Sequence, residues 1–244
     1  YQYFCWYLVQ VLMFDPIHII FACATLFVAG LVKGAAGLGF STTALPPLVL
    51  SLGVETALPL VIIPSLSSNV FVMIESGEFI AMIRRFWLML LCLLPGLVVG
   101  LWCLTIVDKA SAAAVLGMVL VAYGIYALSR LAIELPDRLE KPLQVPVGLM
   151  NGFVNGLTGS QVFPLPPFLL TLKLKPNQFT QTNNIAFTLA SLVMMAGLTQ
   201  IGFMTKTIFL ISIFGIIPTY IGVRLGGILR TRLDVDAFRK FVVI

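Results

Sequence analysis

Lys33 stands in the stretch AGLVKGAAGLGFSTTALPPL, with Gly30, Gly34, Gly37 and Gly39 around it, Ser41-Thr42-Thr43 after it and Pro46-Pro47 beyond. A second stretch, NGFVNGLTGSQVFPLPPF, carries Asn155, Gly156, Thr158, Gly159, Ser160 and Gln161 ahead of Pro166-Pro167. An ammonium, hydroxyls and amides are hydrogen-bond donors, and glycines let backbone turn and approach a ligand closely. A chain that breaks and restarts as a helix also offers free N–H groups and a partial positive charge at the restart. Binding of a small anion is the chemistry these groups suit. Ser41-Thr42-Thr43 and Ser160-Gln161 are accordingly predicted to begin two short helices aimed into the middle of the protein, with Lys33, Asn155 and Thr158 as further donors. Asn69 and Asn183, inside apolar runs, complete the candidate binding set.

Blander readings of the same residues remain open at this level. Glycines in membrane helices also serve close packing, and buried asparagines such as Asn69, Asn183 and Asn184 also bond neighbouring helices. A lysine near a helix end also snorkels to an interface. GLGFST is no phosphate loop, because the lysine of that motif follows its glycine and Lys33 precedes. Catalysis finds no support. His18 is the single histidine, and Cys5, Cys23, Cys92 and Cys103 fall in apolar runs without CxxC spacing. Neither a metal site nor a cofactor is expected. Glu55, Glu75 and Glu78 lie at segment ends, so no carboxylate is placed for a proton relay within a membrane.

The elements that must hold these residues follow from composition. Of 244 residues, 59% are hydrophobic and 10% charged, with mean hydropathy +1.05, whereas soluble domains are about one quarter charged. There is too little polar side chain to cover a water-facing surface, so the solvent is lipid and the fold class is all-α, a polytopic membrane protein. The net charge of +5 is spread over the ends of apolar segments rather than on a solvated basic face, which argues against nucleic acid as a partner. Apolar runs occupy 17–32, 41–52, 55–74, 86–106 and 111–128, then 145–154, 162–172, 184–202 and 208–229. Several reach the ~20 residues that span a bilayer. Those from 41 and from 162 are short and bounded by glycine or proline.

The two stretches match one another. Gly30, Gly34 and Gly37 correspond to Gly152, Gly156 and Gly159, Lys33 to Asn155, and Pro46-Pro47 to Pro166-Pro167. Pro95 with Gly100 is echoed by Pro218 with Gly222, and IVDKA by DVDAF. The chain therefore reads as a duplication: an interfacial segment 1–16, repeat one over 17–133, a cytoplasmic linker 134–142, and repeat two over 143–244. Short Gly/Pro-interrupted segments in the same place in each half point to a transporter's binding site. The stretches 30–47 and 152–167 are expected to meet near the bilayer centre, either as broken helices or as re-entrant hairpins.

A repeated Gly-rich stretch leading into prolines and a short apolar run resembles the sulfite exporter TauE/SafE family, over nearly the whole chain from about residue 17. Lys33 with Ala35-Ala36, and Ser160-Gln161 in the second half, depart from that family's denser glycine cluster. The resemblance implies export of a small sulfur anion, sulfite or an organosulfonate, by alternating access across a bacterial cytoplasmic membrane. Its expected partners are the small anion and the lipid bilayer, and a homodimer is among the arrangements the sequence allows. Other readings are transport of sulfate, thiosulfate or a carboxylate, a non-transporting scaffold, and, third, a membrane enzyme.

Charge placement bears on orientation. If each Gly-rich region is a hairpin and the Arg84-Arg85 turn is cytoplasmic, then Arg84, Arg85, Arg130, Arg138, Lys141, Lys173, Lys175, Arg224, Arg230, Arg232, Arg239 and Lys240 fall inside. Only Lys109 and Lys206 fall outside. A single crossing in each region would make the halves parallel and split the same residues six against eight. Cytoplasmic loops should be the basic ones, so inverted halves are expected. After DVDAF only Arg239, Lys240 and FVVI remain where the first half has a full span. The final helix is therefore expected to be incomplete and to continue past Ile244.

Overall fold

The computed structural model describes residues 16–129 and 134–232. The expectations for segment 1–16, apart from Pro16 at the start of the first helix, and for the helix after Val235 lie outside those residues. Among the described residues ten helices follow in order: α1 (Pro16–Ala36), α2 (Phe40–Leu52), α3 (Val54–Ser76), α4 (Phe79–Ile106), α5 (Lys109–Ser129), α6 (Asp137–Thr158), α7 (Leu165–Leu170), α8 (Pro176–Gln200), α9 (Lys206–Phe214) and α10 (Ile216–Arg232). Among the described residues there are six helical segments long and apolar enough to cross a membrane. Trp87, Leu91, Val98 and Trp102 recur on one face of α4 and are exposed, while Gly96 and Gly100 on another face are packed. An outward apolar face on a spanning helix belongs against lipid tails. The chain is an all-α polytopic membrane protein.

Two close helix pairs frame the interior. Helix α1 lies along α10, where a Cβ on Gly34 would come 2.1 Å from the Val223 carbonyl oxygen and one on Gly30 2.5 Å from that of Thr219. Helix α6 lies along α4 in the same manner: a Cβ on Gly152 would come 2.1 Å from the Leu93 carbonyl oxygen and one on Gly156 2.4 Å from that of Leu97. Without a hydrophobic drive between helices in lipid, backbone approach through small residues supplies the packing. The matched glycines of α1 and α6 therefore make matched crossings, each with a helix from the other half of the chain.

Polar ties fix which helix ends lie together. The bidentate Arg85–Glu140 pair (2.7 and 2.8 Å), Gln178 Nε2 donating to Glu78 (2.8 Å) and Lys173–Glu134 (3.2 Å) gather the ends of α3, α4, α6, α7 and α8. At the opposite end Lys109 pairs with Glu55 at 2.8 Å. There Asp108 caps α5, accepting from the Ser111 N–H (2.9 Å) and hydroxyl (2.6 Å), which hold its carboxyl below the usual range. Helices α3 and α8 consequently run antiparallel. The Leu135 N–H donates to the Thr171 carbonyl (2.9 Å), so the chain entering α6 and the chain leaving α7 sit side by side. Helix α6 starts at Asp137, with Asp137 and Glu140 in its first turn, so most of the stretch 134–142 is helical. Acidic residues there suit the helix dipole.

Candidate functional site

Between the two Gly-rich breaks lies a small cavity of ≈ 10 Å³, measured as space open to a water's centre, and lined from both halves. That is room for about one water. Lys33, Gly39, Phe40, Ser41 and Thr42 come from the first break, Gln161 and Val162 from the second, and Ser65, Asn69 and Phe187 from α3 and α8. The expectation that 30–47 and 152–167 meet is met at this point.

Lys33 is 1% exposed and does not snorkel. Its Nζ donates to Asn69 Oδ1 at 2.8 Å and lies 5.2 Å from the centre of the Phe187 ring. No ion pair reaches it among the described residues. Withdrawing an ammonium from water costs several kcal/mol even after relaxation, and one amide oxygen and one ring face offset only part of it. Asn69 Nδ2 has no partner within the described chain. A donor thus stands unused beside a cation.

Helix α2 begins where the sequence predicted. Gly39 precedes it at φ 96, a left-handed conformation that favours glycine, and with Gly37 (φ 77) it turns the chain back into the cavity. The first turn, Phe40 to Thr42, therefore presents N–H groups that have no partner in their own helix. Ser41 Oγ faces Ser65 Oγ at 3.5 Å. Thr42 and Thr43 turn their hydroxyls back onto the Gly39 carbonyl (2.8 and 2.9 Å); Thr43 lies off the cavity and Thr42 lines it.

The second break differs from expectation. Ser160 and Gln161 do not begin a helix, and α7 starts only at Leu165 with six residues. Pro164 stands immediately before α7 and biases Phe163 against the helical region, and 160–163 are irregular. The prolines at 166 and 167 then fit the first turn, where their missing N–H groups cost nothing. In the first break no proline precedes position 46, so the helix forms at once.

Several candidates take other positions. Gly34 and Gly156 are used in the two helix crossings, and Gly37 and Gly159 turn the chain against Thr180 and Leu58. Thr158 is consumed locally, its hydroxyl donating to Val154 (2.7 Å) and accepting from the Ser160 N–H (3.1 Å). Asn183 Nδ2 donates to Phe179 within its own helix (2.9 Å). Asn155 and Ser160 are buried beside the break, with Asn155 Nδ2 and Ser160 Oγ unpartnered among the described residues. Gln161 Nε2 makes long contacts to Ser191 Oγ (3.4 Å) and the Phe187 carbonyl (3.5 Å). Ser65, Phe40, Val162 and Phe187 were absent from the sequence-derived set. Ser65 lies four residues before Asn69 on one helix face, a spacing that would have found it. Nothing in the sequence marks Phe187 as a wall of the cavity.

The cavity is dry-walled on one side and donor-rich on the other, with one cation and no carboxylate among its lining residues. Such a site suits an oxyanion, and an oxyanion of four or more heavy atoms enters only when the walls move apart. Among the described residues no cluster of His, Cys, Asp or Glu could hold a metal. The family model described as Sulfite exporter TauE/SafE matches residues 22–244. No curated protein and no solved structure matches the chain.

Proposed function

Because the chain belongs to the sulfite exporter TauE/SafE family, a family of membrane transporters, we propose that it exports sulfite or a small organosulfonate through the cavity around Lys33. The observation that carries this reading is a buried ammonium among unused donors, walled by the broken segments of both halves. An entering anion would neutralise Lys33 and accept from Asn69 Nδ2, Ser41, Gln161 and the first turn of α2. Two inverted repeats belong to the proposal. The antiparallel course of α3 and α8, the matched crossings and the Leu135–Thr171 contact support it. The end carrying Arg84, Arg85, Arg138, Lys141, Lys173 and Lys175 is then cytoplasmic, in a bacterial cytoplasmic membrane. Alternating access belongs to the same proposal, supported by a cavity of ≈ 10 Å³ that is too small for a four-atom oxyanion until its walls part. The membrane potential suffices as a driving force, since each exported negative charge gains about 2.3 kcal/mol per 100 mV.

Flux from proteoliposomes loaded with sulfite, organosulfonates, sulfate, thiosulfate or carboxylates tests the substrate class. Sulfite or a sulfonate should leave fastest, and faster movement of sulfate or a carboxylate would replace the proposed cargo. A second expectation concerns Asn69→Asp. The new carboxylate would stand where Oδ1 now lies 2.8 Å from Lys33 Nζ, satisfying the ammonium and repelling an anion. Like charges brought together cost several kcal/mol, so sulfite affinity should fall by ~10-fold or more while the protein still accumulates. Undiminished affinity would remove Lys33 from the site.

A further inference from the structure

The two halves are alike in backbone but not in polarity. Gly37 turns against Thr180 and Gly159 against Leu58, the same spacing that relates Lys33 to Asn155. Under that correspondence Gln181, Asn184, Thr188 and Ser191 of α8 match Pro59, Ile62, Leu66 and Asn69 of α3, and Asn151 of α6 matches Ala29 of α1. At Gln181, Asn184, Thr188 and Asn151 one half is polar where its counterpart is apolar, and only Ser191 faces a polar counterpart, Asn69.

On α8 the residues Asn177, Gln181, Asn184, Thr188 and Ser191 recur every three or four positions and so share one helix face. Asn177 is exposed at the end that carries Lys173 and Lys175, and Ser191 contacts cavity-lining Gln161. The row therefore runs ~21 Å, from the basic end to the cavity wall, at 1.5 Å per residue. Asn151 and Asn155, one turn apart on α6, lie in the same half of the protein, between the tied ends and the second break.

Gln181, Asn184, Asn151 and Asn155 are buried and short of partners, and Thr188 is half-buried. Gln181 is 0% exposed and neither side-chain atom has a partner among the described residues, and Asn151, 1% exposed, is in the same condition. Asn184 bonds the Gly37 and Thr180 carbonyls through Nδ2 (3.1 and 2.7 Å), while its Oδ1 and Thr188 Oγ1 have no partner among the described residues. Each unsatisfied buried polar group costs ~1–3 kcal/mol, whereas apolar residues of similar size would cost nothing. The opposite half uses the apolar solution at Ala29, Pro59, Ile62 and Leu66. Thr219, a further buried hydroxyl without a partner among the described residues, is on α10 in the same half as α8 and lies beside Gly30, off this face.

We propose that this row is the access route between the basic end and the cavity, a hydrated line of amides and hydroxyls that binds water and a passing small oxyanion. The apolar counterpart around Ala29, Pro59 and Ile62 is the closed side. The identity of the traveller rests on the function proposed above, but the route does not.

The test uses the full chain with its four cysteines replaced, carrying one new thiol at a time, in inside-out and right-side-out membrane vesicles. Gln181→Cys and Asn151→Cys should react with a charged, impermeant methanethiosulfonate from the basic end at least ~10-fold faster than Ile62→Cys and Ala29→Cys react from either side. In parallel, Gln181→Leu should slow sulfite flux several-fold while keeping the rise in Tm that sulfite produces. Equal reactivity at 181, 151, 62 and 29, or wild-type flux in Gln181→Leu, would overturn the route. Fast labelling at 181 and 151 together with a sulfite response that survives Lys33→Met would support the route and overturn the binding site.

Discussion

Replacing Lys33 with methionine should abolish transport and at the same time make the anion-free protein more stable. Both signs follow from one fact: the ammonium is 1% exposed, with one amide oxygen and one ring as partners. Substituting buried charge by apolar side chains of similar volume is commonly neutral or stabilising by ~1–4 kcal/mol. For a chain of this size that is a rise of several °C in Tm. Truncating one partner of a buried charge pair costs ~2–5 kcal/mol, which here is a loss of about 30- to 4,000-fold in sulfite affinity. Flux and thermal unfolding of the same preparation separate this outcome from misfolding. A variant that is destabilised, or that transports normally, contradicts it.

The second large effect is structural. Gly34→Ala would place a Cβ 2.1 Å from the Val223 carbonyl oxygen and 2.9 Å from the Gly227 nitrogen. Gly152→Ala would place one 2.1 Å from the Leu93 carbonyl oxygen and 2.7 Å from the Leu97 nitrogen. The clashing atoms are backbone, so a rotamer change cannot relieve them and one helix must withdraw. Overpacking ordinarily costs ~1–3 kcal/mol, and these contacts belong above that range. Each variant should accumulate poorly and lose most of its Tm. Gly117→Ala is the contrast. A Cβ there meets nothing within 4 Å, and alanine is the better helix former by about 1 kcal/mol. Detergent-solubilised yield and Tm of the three variants decide the matter, and equal tolerance at all three positions would refute the close crossings.

Much of this arrangement was legible because glycine and proline are read through backbone sterics, which do not depend on distant neighbours. The matched Gly30/Gly34/Gly37 and Gly152/Gly156/Gly159 located both breaks and the helix crossings. Sequence could not apportion those glycines between packing and ligand, since the difference lies in what stands opposite. Gly34 faces Val223 and Gly39 faces the cavity, and no local rule separates them. The start of α2 at Phe40 was within reach, yet α7 begins five residues later than Ser160, after an irregular stretch that ends at Pro164. Lys33 was ambiguous for a similar reason. Whether a lysine near a helix end snorkels or stays inside depends on Asn69 and Phe187, which are distant in sequence. The polar face of α8 was partly visible as Asn183 and Asn184, but only helical phase shows that Asn184, not Asn183, shares a face with Gln181 and Ser191.

The most direct test of an anion site at Lys33 is the Tm of the purified protein as sulfite concentration is raised, in wild type and in Lys33→Met. A ligand that binds only the folded state adds about 2.7 kcal/mol of stability at 100 times its Kd. Wild-type Tm should therefore climb with the logarithm of sulfite concentration once Kd is passed, and the Lys33→Met curve should stay flat from a higher starting value. A wild-type Tm indifferent to sulfite and to sulfonates, or an equal climb in both proteins, would contradict the assignment of Lys33 as the anion's partner.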